Sequence, residues 1–129
     1  MNYETATDFE LNMRLAKALG FDIFNDQCAS LKSKSSSVLI DCHGEQGEVD
    51  GSIIICREVN YCTDWNATMP LAVEHGVELS PCYNGWWFSG VVESYTHEEE
   101  VLSYSGITVC EGTLRSIVIC LIKVLESKQ

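Results

Sequence analysis

The sequence predicts an α+β fold: an antiparallel sheet with N- and C-terminal helices packed on one face and a short helix between two hairpins. Three observations point there. The chain reads helix, strands, short helix, strands, helix, an order that cannot supply the alternating parallel units of a doubly wound sheet. Asn84-Gly85, set between two apolar-rich runs, is the strongest two-residue signal for a type I′ hairpin turn. In the last segment Leu114, Ile117, Val118, Leu121, Ile122 and Leu125 recur at helical spacing and form one apolar stripe. The chain has 129 residues, 46% of them hydrophobic, which suits one domain over residues 1–129 with a core that needs no staples.

Taken in order, Thr7-Asp8-Phe9-Glu10 has the form of a capping box, with Thr7 as N-cap and Glu10 three residues on. Leu11, Leu15, Ala18 and Leu19 follow at helical spacing as far as Gly20, so a helix is predicted over 7–19. A short apolar stretch at 21–24 precedes the serine- and lysine-rich loop 32–37. Val38 to Cys42 and Ser52 to Arg57 are β-branched, apolar runs joined by a glycine-rich connection, which predicts a long hairpin. Residues 64–76 read as a short helix entered through Thr68-Met69-Pro70 and closed by Gly76. The second hairpin pairs Val77 to Tyr83 with Trp86 to Val92. Val77, Leu79 and Tyr83 alternate with Glu78, Ser80 and Cys82, so one face is predicted to be buried. Beyond the acidic loop 97–100, a strand from Val101 to Cys110 leads into the final helix.

Lys and Arg total 8 against 19 Asp and Glu, a formal net charge of −11 that repels phosphate backbones and anionic membranes at long range. Direct nucleic-acid and membrane binding are therefore not expected, whereas a basic protein partner would be attracted. Seven cysteines with no Cys-x-x-Cys spacing are expected to be reduced thiols, and Cys56, Cys110 and Cys120 lie in apolar runs as small core residues. No secretory signal and no apolar run of membrane-spanning length is present, so the expected location is the cytoplasm.

Trp65, Tyr83, Trp86 and Trp87 are the most unusual group, because adjacent Trp86 and Trp87 on a strand must face opposite ways. One indole belongs to a core. The other is a candidate surface on which a nucleobase or a partner side chain stacks. Arg115, in the first turn of the last helix, stands where exposed amides and a guanidinium together suit a phosphate or carboxylate. The plainer expectation is a salt bridge to an acidic neighbour such as Glu111. His97 with Glu98, Glu99 and Glu100 reads as a solvated charge run rather than a metal site, and no cofactor or catalytic motif is found. An enzyme is not expected.

The chain resembles the NinX-like family of small accessory proteins carried by tailed phages and prophages. The resemblance rests on Asp8-Phe9-Glu10-Leu11-Asn12, Ala18-Leu19-Gly20, Asp64-Trp65, Pro70-Leu71, His75-Gly76, Gly85-Trp86 and Leu114-Arg115. Where that family usually has Asn-Pro before Leu-Arg, this chain has Gly112-Thr113, which implies a different cap for the last helix. The resemblance implies an accessory, non-catalytic role inside the host cell, of the counter-defence kind. Two mechanisms follow. Trp65, Tyr83, Trp86 and Trp87 with Arg115 could sequester a small nucleotide signal, such as a cyclic dinucleotide or an ADP-ribose derivative, an arrangement that a homo-oligomer would favour. Alternatively, an acidic surface blocks a host defence protein or nucleic-acid-binding protein.

Overall fold

The computed structural model describes residues 1–23, 36–41, 56–96 and 101–129. Helix α1 spans Asp8–Ala18 and begins at Thr7, whose hydroxyl accepts from the Glu10 amide at 3.1 Å and donates to the Glu10 carboxylate at 3.3 Å. Its apolar face buries Leu11, Leu15 and Ala16. Buried on the same helix, Asn12 is fully satisfied: Nδ2 donates to Ser36 O and Asn60 Oδ1, both at 2.8 Å, and Oδ1 accepts from Cys62 N at 3.1 Å. One side chain thereby ties three distant stretches together. Truncating it would leave buried polar groups unpaired.

Strands β1 (Val38–Asp41) and β2 (Cys56–Val59) form an antiparallel pair with Val38 opposite Val59 and Asp41 opposite Cys56. The predicted second strand, Ser52 to Arg57, is thus corrected at its far end, since pairing runs on through Val59. Its first part lies outside the described residues. Ile23 bridges to Ile40, so the apolar stretch after α1 joins this small sheet. Val38 and Ile40 are buried against α1.

Helix α2 spans Trp65–His75. The Asp64 carboxylate caps it by accepting from Asn66 N at 2.9 Å, and Gly76 ends it in the left-handed region at φ 70°. Entry through Pro70 is therefore corrected: the cap lies earlier, and Pro70 sits inside the helix, where it removes one backbone donor. Thr68, buried, donates to Tyr61 O at 2.6 Å and anchors the helix to the turn before it.

Strands β3 (Val77–Tyr83), β4 (Trp86–Thr96) and β5 (Val101–Glu111) form an antiparallel meander in that order. Asn84 and Gly85 both take positive φ, 47° and 82°, as a type I′ turn requires. The expected burial of Tyr83 with Val77 and Leu79 does not occur. A register shift between Pro81 and Tyr83 places Tyr83 opposite Trp86, breaks the alternation, and leaves Tyr83 75% exposed.

Helix α3 (Thr113–Ser127) is the centre of the molecule. One side lies on the three-stranded sheet and another on α1, with α2 also in contact, so every residue from Ser116 to Ile122 is buried. Both terminal helices thus lie on one side of that sheet, α3 directly on it and α1 behind. Leu125, in the predicted stripe, is only partly buried because it falls near the end of the helix. Small residues let α3 approach the sheet: Ser116 Oγ is 2.6 Å from Ser89 Oγ and 3.2 Å from Trp87 O, and Gly106 faces Val124 and Cys120. The far end of α3 is held to α1 by Arg14 and Glu126, paired through both nitrogens at 2.6 and 2.8 Å.

Candidate functional site

Pairing across β4 and β5 decides where the tryptophans go. Trp87 stands opposite Cys110 and two residues from buried Ser89, so it shares the α3-facing side and is half-buried. Trp86, opposite Tyr83 and Glu111, takes the outer side and is 45% exposed. Phe88 and Val109 follow on that side as a cross-strand pair, and Phe88 meets Tyr104 edge to face at 5.2 Å between ring centroids. The bulge at Gly106, with φ 65°, makes this possible: Ser89 pairs with Thr108 but Val91 pairs with Ser105, so Tyr104 changes sides and joins Phe88. An outer face results on which Tyr83, Trp86, Val92 and Val109 remain exposed although large and apolar.

Arg115 forms the expected salt bridge to an acidic side chain, but to Asp8 rather than Glu111. It turns to the amino-terminal segment, donating to Asp8 Oδ1 at 3.2 Å, Tyr3 O at 2.9 Å and Ala6 O at 2.6 Å. The guanidinium is thereby a clamp between α3 and the residues that lead into α1. Gly112 begins α3 at φ 96° without any side-chain cap, as the Gly112-Thr113 departure implied.

Trp86 and Arg115 nevertheless line one groove of about 720 Å³ between the open side of β5, one face of α3 and Tyr3-Glu4. Thr108 to Glu111 form one wall; Arg115, Ile119 and Lys123, four residues apart along α3, form the floor. Lys123 Nζ donates to Ile107 O at 2.8 Å and lies 5.3 Å from the Tyr3 ring centroid. Cys110 opens into the same space, and burial pushes its thiol pKa up, against the pull of Arg115, Ser116 and Lys123. A thiol so placed is a weak nucleophile. Charges in the groove nearly balance, Glu4 and Glu111 against Lys123 and the Asp8-paired Arg115.

Of the five residues singled out, the structure brings Trp86 to both Tyr83 and the groove that Arg115 lines. Trp87 faces the core side, and Trp65, the first residue of α2 and 50% exposed, lines neither this groove nor the outer sheet face. Lys123, Tyr3 and Val109 were missed. Lys123 was findable, because Arg115, Ile119 and Lys123 share one helical face by spacing alone; Tyr3 was not, because no local pattern links it to α3. Among the described residues no three His, Cys, Asp or Glu side chains gather to hold a metal ion, and no helix is long and apolar enough to cross a membrane. Compared with known protein families and with curated proteins, the chain matches no family and no individual protein.

Proposed function

We propose that this chain is a non-catalytic accessory protein that binds and blocks a basic protein partner in the cytoplasm of a phage-infected cell, in the manner of counter-defence. The phage setting is supported by the NinX-like run of residues alone. Binding through a protein-sized surface is supported by one observation above the rest: Tyr83, Trp86, Val92 and Val109 stay exposed on one outer sheet face of a chain whose net charge is −11. Aromatic anchors on a strongly acidic chain suit a partner that is apolar at the centre of contact and basic at its rim.

Sequestration of a small nucleotide is the second reading. It is favoured by the groove that Trp86, Arg115 and Lys123 share, whose volume is in the range of small-ligand sites. Against it stands the engagement of Arg115 with Asp8 and two carbonyls, which a phosphate would have to displace. Melting the purified protein with cyclic dinucleotides and ADP-ribose derivatives separates the two. A nucleotide at about a hundred times its Kd adds about 2.7 kcal/mol of stability, an effect that Arg115→Ala would remove. On the protein-binding reading no nucleotide shifts the melt, and wild type captures from host extract a partner that high salt or Trp86→Ala releases. A nucleotide-specific shift lost in Arg115→Ala would displace that reading.

A further inference from the structure

We infer that the open edge of β5 docks an extended basic segment of the protein partner as a fourth strand, an inference that rests on the protein-binding reading above. The backbone alternation carries it. Gly112 N donates to Gly85 O at 3.1 Å, and the register continues with Cys110 opposite Trp87 and Thr108 opposite Ser89, so Thr108 and Cys110 turn their amides and carbonyls toward β4. Residues out of phase turn the other way, as Ile107 O shows by accepting Lys123 from the open side. By the same alternation the amide and carbonyl of Val109 and the amide of Glu111 face outward, where no strand pairs with them among the described residues. That edge is one wall of the groove.

The sheet's two edges are not equivalent. β3 carries Pro81 and a register shift beside it, both of which blunt an edge. β5 has no proline, and its bulge precedes Val109, so the stretch from Thr108 to Glu111 is regular. Side chains beside the edge set the partner's chemistry. Val109, 52% exposed, and Trp86 offer apolar contact on the outer face, while half-buried Cys110 faces the groove. Glu111, in phase with Val109 and opposite Trp86, adds an acidic side chain on that outer face, and the chain as a whole carries a net charge of −11. An added strand that turns lysine or arginine outward meets Glu111 and the Trp86 ring on that face, while its alternate apolar residues face Cys110 in the groove. A second copy of this chain would bring another −11 of like charge to the contact.

The probe is a synthetic peptide of alternating lysine and valine, compared by fluorescence anisotropy at low salt with an alternating glutamate and valine peptide. We expect the lysine peptide to bind about tenfold or more tightly than the glutamate peptide, and methylation of alternate peptide amides, at unchanged charge, to weaken it about tenfold. Val109→Pro should weaken it more than Val109→Ala does, with the fold retained in both, since that amide makes no ladder bond. A readout without any variant is amide exchange. Val109 and Glu111 should exchange fast alone and slowly with peptide, whereas Thr108 and Cys110 should be slow throughout. Equal binding of the methylated and parent peptides would overturn strand docking, as would protection of Val109 and Glu111 in the free protein. Loss of peptide binding in Trp86→Ala, with no effect of methylation and Val109→Pro no weaker than Val109→Ala, would also overturn it and leave the aromatic outer face as the binding surface.

Discussion

Replacing Gly106 by alanine tests the bulge on which the outer face depends. Two costs add. At φ 65° an alanine carries the left-handed strain of about 1–2 kcal/mol. Its Cβ would also lie 2.5 Å from Val124 Cγ2 and 3.0 Å from Cys120 O, on a helix whose residues there are 0–1% exposed and cannot give way. Overpacking of that kind costs about 1–3 kcal/mol, so the expected total is about 2–5 kcal/mol. At about 4 °C per kcal/mol for a chain of this size, melting should fall by roughly 8–20 °C. Gly85→Ala is the control, because φ is 82° there but nothing lies within 4 Å of the added carbon. Urea unfolding of both variants isolates the packing share as the difference between them. A Gly106→Ala loss no greater than that of Gly85→Ala would refute the close approach of β5 to α3.

Three further outcomes are expected. Arg115→Lys keeps the charge but not the reach to Asp8, Tyr3 O and Ala6 O, so urea unfolding should show a loss of about 1–2 kcal/mol, with no loss counting against the clamp. Arg14, through its hydrogen bonds, holds the Glu126 carboxyl below its ordinary value, so the pair's stabilisation is present above about pH 4.5 and is lost as pH falls through the lower folded-state pKa. The acid limb of a stability-against-pH curve should accordingly flatten in Glu126→Gln, and an unchanged limb would show the pair to be inert. Burial pushes Cys62 up to about 12 and Cys120 up to about 11, whereas Cys82 is exposed, so brief alkylation at pH 8 mapped by mass spectrometry should label Cys82 well before the other two.

Much of the fold was legible because its signals are local. Thr7 and Glu10, Asn84-Gly85, and the stripe from Leu114 to Leu121 each act over a few residues, and each element formed where its pattern stood. Misreadings arose where pairing between strands decides. The register shift beside Pro81 turned Tyr83 outward, and the bulge at Gly106 carried Tyr104 to the outer face; neither can be read from one strand alone. α2 misled differently: Pro70 drew attention to a first turn, while Asp64, the actual cap, was read only as the segment's beginning. At the site, Trp86 and Arg115 were both visible as unusual residues, but the partner of Arg115 was not. Asp8 lies 107 positions away and is brought close only by the docking of α1 on α3.

The central place of α3 has a consequence for how the chain is made. α1, both sheets and α2 are all synthesised before α3, and α3 is the element against which α1, α2 and the meander bury their apolar sides. Until α3 leaves the ribosome, α1 has β1 but not its larger partner, and the inner face of the meander is uncovered. At about 5–20 residues per second, the chain therefore spends several seconds with that surface open to chaperones and to self-association. Nascent chains arrested before Thr113 should accordingly be held by chaperones or aggregate.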